Sequence, residues 1–365
     1  MPYWSLYLKD AGYNPMQIGQ LSALLIGTRI IAPNLWGWLA DRSGKSLPII
    51  RIASFLAAVF FAGFLFARNY LEFALITLSF SFFWNAALPQ FEAATLLHLH
   101  GEPQRYSRVR LWGSVGFIIA VLGVGSWLDS HPINLLPSIV VCLLTGICLV
   151  TLIVPDARPQ HHEHDSVGIF KIIKQPTVIA FLTVGMLLQI AHAPYYVFYS
   201  VYLKSYHYSA TLTGSLWALG VIAEILLFIF MKQIMAFCSL RAILLSSILL
   251  AMSRWLIISW CADQLSLLII AQLLHAASFG ATHIATIHLV HRYFGQQHQG
   301  KGQALYSSLS MGLGGMLGSF YSGYFWEQIG GQIIYSIGAA ICVFAFFIAF
   351  LWIGREKKRL NSALS

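Results

Sequence analysis

Tyr7-Leu8-Lys9-Asp10-Ala11-Gly12-Tyr13-Asn14-Pro15-Met16-Gln17-Ile18-Gly19-Gln20-Leu21-Ser22-Ala23-Leu24 returns 195 residues later as Tyr202-Leu203-Lys204-Ser205-Tyr206-His207-Tyr208-Ser209-Ala210-Thr211-Leu212-Thr213-Gly214-Ser215-Leu216-Trp217-Ala218-Leu219. Eight of these eighteen positions are identical. In the same register Arg29 falls on Glu224, and both sit near the middle of long apolar segments. The pattern is that of a duplicated helical unit with opposite charges at equivalent depths, which points to a two-halved membrane bundle with its site between the halves.

Composition agrees. The chain is 58% hydrophobic and 10% charged, with a mean hydropathy of +0.71. Soluble domains carry about 25% charged residues, so this chain has too little polar sequence to cover a soluble core. Its apolar runs are continuous and do not alternate, so they read as transmembrane helices and not as barrel strands. They cover about 16–40, 46–67, 71–97, 108–130, 134–154, 177–203, 212–236, 242–260, 265–291, 302–325 and 331–353, which makes eleven spans. Residues 1–9 read as the last turns of a twelfth. By the repeat, the span beginning near 177 maps to about 18 residues before Met1, so helix 1 is expected to be truncated at its N-terminus. A misassigned start and a real truncation both explain this; Met1 lacks the charged start of a signal peptide.

The expected division is an N-terminal bundle (1–154), a cytoplasmic linker (155–176), a C-terminal bundle (177–353) and a cytoplasmic tail (354–365). The linker holds His161-His162-Glu163-His164-Asp165, read as a solvated connection in preference to a metal site. Cys142, Cys148, Cys238, Cys261 and Cys342 are scattered, mostly in apolar runs, and read as packing residues. No metal or cofactor is expected. The net charge of +9 raises nucleic acid as a partner, but its distribution argues for topology. Seventeen of the 22 Lys and Arg residues fall on one side of the predicted spans, while Lys9, Arg68 and Lys204 fall on the other. Arg29 and Arg254 lie within the membrane. The basic side is then cytoplasmic, the C-terminus included.

Gly37-Trp38-Leu39-Ala40-Asp41-Arg42-Ser43-Gly44-Lys45 lies between the second and third spans. It resembles the G-x-L-a-D-r-x-G-r-k loop of the major facilitator superfamily, where this loop gates the inner side. There Gly37 would permit close helix approach, Asp41 would cap a helix end or pair with a base, and Arg42, Gly44 and Lys45 would complete the gate. Arg108-Val109-Arg110-Leu111-Trp112-Gly113-Ser114-Val115-Gly116-Phe117, Ala191-His192-Ala193-Pro194-Tyr195-Tyr196, Leu216–Glu224 and Arg254-Trp255 resemble the 3-phenylpropionate transporter branch, related to the lactose-permease and nucleoside/proton symporter groups. The resemblance implies an all-α major facilitator fold of two six-helix bundles. It further implies a proton-coupled importer of a small organic solute in the bacterial inner membrane, working by alternating access. An aromatic carboxylate such as 3-phenylpropionate is the expected substrate. A sugar or nucleoside symporter, an exporter of the same fold, and a non-transporting receptor or scaffold are the alternatives.

Charges at mid-membrane cost roughly 2.5–3.5 kcal/mol each and face a cavity or one another. Glu224 is either the coupling acid or half of a static ion pair. Arg254 lies within reach of it, and resemblance to the lactose-permease group supports an Arg–carboxylate pair there. Arg29 either holds a substrate carboxylate through two parallel hydrogen bonds or pairs with Glu224 or Glu92. His283 is a candidate proton relay, since imidazole titrates near neutral pH. His275 is also near the midplane, whereas His288 reads as structural or interfacial. His192, Tyr195, Tyr196 and Tyr199 fall on one helix stripe beside Pro194, a predicted kink. They form either packing or a binding wall, to which Trp84, Asn85, Trp217 and Trp255 would add. Glu92 and Arg110 are an inner gate or a surface pair. No H-E-x-x-H or G-x-S-x-G is present, and the chain is not expected to be an enzyme. The expected partners are a small solute, protons and the lipid bilayer, with the protein a monomer.

Overall fold

The computed structural model describes residues 2–43, 46–99, 103–155 and 169–354. These residues form helices joined by short turns, and none of them forms a strand. The first half comprises α1 (Trp4–Asp10), α2 (Pro15–Gly27), α3 (Ala32–Ser43), α4 (Ser46–Ala62), α5 (Tyr70–His98), α6 (Pro103–Leu128) and α7 (Leu136–Ile153). A short α8 (Ile169–Ile173) leads into α9 (Pro176–Ser205), α10 (Ala210–Phe237), α11 (Leu240–Trp260), α12 (Leu265–His275), α13 (Thr282–Ser307) and α14 (Gly315–Trp352). Gly44 and Lys45 of the gating loop, the histidine-rich linker segment and the basic tail beyond Gly354 lie outside the described residues. So does the side chain of Asp41.

Nine helical stretches among the described residues are long and apolar enough to cross a bilayer. The last, Gln297–Trp352, turns at Gly330, whose φ of 79° is left-handed, and so counts as two. A further crossing is broken. α2 and α3 are joined by a 3₁₀ turn at Thr28–Ile30, where the apolar run from 16 to 40 predicted one continuous helix. Pro33 is the physical reason. It cannot donate to the carbonyl of Arg29, and its ring crowds that carbonyl. With that crossing, the described residues contain the eleven spans that the apolar runs predicted. Two π-helical segments, Ala276–Ala281 and Ser308–Gly314, interrupt the later crossings.

The repeat has a structural meaning. Asn14 and Ser209, in equivalent register, cap α2 and α10, accepting from Gln17 N–H (2.9 Å) and Leu212 N–H (3.1 Å). Gly19 and Gly214 follow, and each marks the closest approach to the opposite half. A Cβ on Gly19 would fall 2.6 Å from Gly323 Cα of α14, and one on Gly214 would fall 2.7 Å from the Val121 carbonyl of α6. Gly125 of α6 completes the second crossing, 2.8 Å by the same measure from the Ala210 carbonyl. The Tyr3 hydroxyl enters between these helices, donating to Val121 O (2.8 Å) 3.3 Å from Ala210 O. Asp129 accepts from the first two amides of α10, Ala210 (2.7 Å) and Thr211 (3.1 Å). The Thr211 hydroxyl and these amides hold its carboxyl below the usual carboxylate range.

All these contacts lie on the face that carries the turns at 11–14, 129–132 and 206–209. Most of the described basic residues lie at the other end of the spans. There Arg51 donates to the last carbonyls of α7, Thr151, Leu152 and Val154 (3.1, 3.3 and 3.3 Å). Arg241 does the same for α14 at Phe350 O (2.6 Å) and Ile353 O. Each half thus ends on a helix whose terminal carbonyls an arginine takes up.

Candidate functional site

Arg254 is fully buried, and no carboxylate pairs with it among the described residues. Its Nε donates to Ala271 O (3.0 Å) and its Nη2 lies 3.5 Å from Gln272 Oε1. The guanidinium lies over the rings of Tyr195 (4.1 Å) and Trp255 (4.6 Å). Gln272 is the hub. Its Oε1 accepts from the Tyr195 hydroxyl (2.9 Å), and its Nε2 donates to the Tyr199 hydroxyl (2.6 Å). The expected Arg254–Glu224 pair is therefore not formed. The cation turns inward, where dipoles and aromatic faces compensate it. Gln272 escaped the sequence reading, although it is a lone amide in the apolar run Leu265–His275.

Glu224 instead faces His275, its Oε2 lying 3.8 Å from Nε2. Glu224 is partly exposed; His275 is buried. Gly280, in the π segment, packs against the Glu224 side chain, 3.1 Å from its Cγ by the same Cβ measure. Beyond His275 the rings of Phe279 and His283 continue the column. Phe279 stacks on His275 at 5.3 Å and on His283 at 6.3 Å, with interplanar angles of 6° and 5°. A small pocket beside this column is lined by His192, Phe279, His283, Thr282, Gln189 and Tyr306, with about 20 Å³ for the centre of a water. That is room for one ordered water. His288 is exposed, as an interfacial residue would be.

The aromatic stripe of α9 divides. Tyr195 and Tyr199 are fully buried on Gln272 and face the interior of their own half. His192 is also buried, with Nδ1 2.7 Å from Leu188 O and Nε2 unpartnered. Only Tyr196 keeps partial exposure. Trp217 stacks behind it at 6.2 Å and donates to Ser200 Oγ (3.2 Å). Tyr196 is close enough to Arg29 and to Glu224 for both charges to act on it. The predicted wall is thus one tyrosine with a tryptophan behind it, and the other tyrosines hold Arg254. Pro194 is accommodated without interrupting α9.

In the first half, Arg29 sits on the 3₁₀ turn and donates from Nε to Asn85 Oδ1 (3.3 Å). Asn85 is itself fixed, donating to Thr28 Oγ1 (2.7 Å) and Leu25 O (3.1 Å). Arg29 is exposed, and the 3₁₀ turn that carries it packs against α5 and the π segment of Ser308–Gly314. It forms no ion pair with Glu224 or Glu92. Trp84 stacks on Phe80 (6.1 Å) and is half-buried. Glu92 pairs with Arg110 at 3.5 Å, both side chains well exposed. The Arg110 charge also acts at longer range on Glu224 and His283. Arg42 lies over the Trp38 ring at 5.3 Å. Gly37 is 3.9 Å by the Cβ measure from Gln90, an ordinary contact, so the close approach expected there is absent. The glycines that meet the backbone of the opposite half this closely are Gly19, Gly125, Gly214 and Gly323.

A polar column in one half and an exposed cation in the other lie in the middle of an all-helical membrane bundle whose halves approach closely at glycines near one face. The chain is 28% identical over 358 residues to the probable 3-phenylpropionic acid transporter of Escherichia coli (strain K12), spanning 95% of this chain and 92% of that one. It is also 28% identical over 376 residues to the maltose permease of Geobacillus stearothermophilus, spanning 98% and 91%. The nucleoside transporter NupG shares its fold, with a TM-score of 0.82 at 17% identity over 96% of this chain and 93% of that one. The family model described as "MFS_1 like family" matches residues 1–337. The chain therefore belongs to the MFS_1 like family and is a multi-pass membrane transporter of the major facilitator fold.

Proposed function

We propose that this transporter couples proton movement to the uptake of a small organic acid, with an aromatic carboxylate as the best fit. The observation that carries the reading is that a cation and an acid stand apart, one in each half. Arg29 is an exposed cation with one neutral partner, held by Asn85. Glu224 is a partly exposed carboxylate whose partner is a neutralisable imidazole, His275. Arg29 suits a solute carboxylate, offering the free edge of a guanidinium. Tyr196 and Trp217 supply an aromatic surface beside it. Glu224 suits a proton, with His283 as relay towards the basic face. Arg254 organises the aromatic network and takes no proton in this reading.

Transport follows by rocking two bundles, residues 1–154 and 177–353, about the site. The glycine crossings close the sparsely charged face. With the basic face cytoplasmic, this conformation is inward-facing, in the bacterial inner membrane, and each monomer carries a complete site.

The test is uptake into proteoliposomes under an imposed proton gradient, comparing 3-phenylpropionate, maltose and a nucleoside. Glu224→Gln is expected to abolish gradient-driven accumulation while exchange of pre-loaded solute continues. Accumulation that survives this substitution rules Glu224 out as the coupling acid. Arg29→Gln is expected to abolish carboxylate uptake. Tight binding of maltose, unaffected by Arg29→Gln, would instead favour sugar transport, the reading that the maltose permease similarity and the Tyr196–Trp217 surface support.

A further inference from the structure

The sequence places His275 and His283 eight residues apart. Eight residues of regular α-helix would set them about 80° apart around the axis. The π segment Ala276–Ala281 takes up that excess, and the rings of His275, Phe279 and His283 fall into one near-parallel stack. Phe279 therefore stands between the Glu224–His275 pair and His283. It also lies 6.3 Å from the His192 ring and 6.4 Å from the Tyr196 ring, centroid to centroid.

Two buried imidazole nitrogens near this ring have no partner, His192 Nε2 and His275 Nδ1. A buried polar group left dry is unfavourable, and water satisfies it wherever water can reach. The neighbouring pocket has space for one water, and Phe279 is part of its wall. That space already borders His192 and His283; displacing the ring would extend it to His275, and water would follow to satisfy its Nδ1. The charged and titratable groups around the stack are Glu224 on α10, Arg254 on α11, His192, Tyr195 and Tyr196 on α9, Tyr306 on α13, and at longer range Arg110 from α6.

We propose that Phe279 is an aromatic plug in the proton path, held in register by the π segment, that keeps Glu224 and His275 from exchanging protons with His283 unless solute-driven movement displaces it. This rests on Glu224 being the coupling acid. Phe279 is a positioning residue: it carries no proton and decides when water can.

The experiment is proton entry into proteoliposomes with a trapped pH dye, under an inward proton gradient and without solute. Wild type is expected to be tight. Phe279→Ala is expected to leak several-fold faster, and Phe279→Leu to stay tight. The double variant Phe279→Ala with Glu224→Gln is expected to lose the leak, which a misfolded, generally permeable protein would not do. Phe279→Val replaces alanine if alanine does not elute as a single species. A tight Phe279→Ala protein overturns the proposal, as does a leak that persists without Glu224. Glu224→Gln alone, assayed for solute accumulation, separates the two readings. If it abolishes accumulation while Phe279→Ala stays tight, the plug fails and the coupling acid stands; if accumulation survives, the coupling acid fails.

Discussion

At the scale of single residues, Arg254 presents the main problem. A guanidinium without an anion inside a membrane protein needs compensation, and here two aromatic faces, one carbonyl and Gln272 supply it. Gln272 serves three neighbours at once, so its loss would leave Tyr195, Tyr199 and Arg254 each short of a partner. Gln272→Leu is expected to cost about 3 kcal/mol or more, since each orphaned buried group costs roughly 1–3 kcal/mol. A lowered thermal midpoint in detergent is the readout. Adding Arg254→Met should recover part of it, because removing an uncompensated buried charge is stabilising. A midpoint unchanged by Gln272→Leu would mean that Gln272 does not hold the network. The sequence showed Arg254 as a buried charge but pointed it at Glu224. What it hid was the direction of the side chain: in a helix apolar all round, periodicity marks no inner face.

At the scale of elements, regularity was legible and departure from it was not. Continuous apolar runs sufficed for eleven spans because every backbone group in lipid must be satisfied within its own helix. The 3₁₀ turn that carries Arg29 had a visible cause in Pro33, yet hydropathy passed over it. The π segments have no comparable mark, and one of them places His283 in line with His275. Residue spacing alone therefore misjudges which histidines share a face. The ends of the halves show a further pattern invisible in the sequence, since Arg51 and Arg241 bond the last carbonyls of helices about 100 residues away. Arg51→Gln is expected to lower stability by about 1–2 kcal/mol, through lost carbonyl bonds and the lost charge at a helix C-terminus. Arg51→Lys should restore only part, lacking the planar fork that spans several carbonyls. Thermal unfolding of both variants checks this, and equal midpoints for Gln and wild type would deny Arg51 a capping role.

At the scale of the whole molecule, the repeated residues are the ones that let the halves meet. Gly19 and Gly214 share a register because each lies near the start of a helix that must cross the other half closely, at Gly323 and at Val121. Nothing larger than hydrogen fits there without moving backbone. Gly214→Trp should therefore pry α10 from α6 and shift the population towards a conformation open on the sparsely charged face. Spin labels at Arg68 and Asp263, on turns of opposite halves in a cysteine-free background, report the opening as a longer distance. Asp129→Asn tests the same closure more gently, by removing the charge at the start of α10 while leaving the side-chain shape. Its pH dependence has a definite sign. The carboxyl is held below its usual range in the closed form, so its contribution is present at neutral pH and is lost only as pH falls through that depressed value. The variant should open more than wild type at pH 7, and the two should converge only in strong acid. Distances unchanged by either substitution would mean that closure is set elsewhere, and the repeated glycines would then be packing residues with no part in the transport cycle.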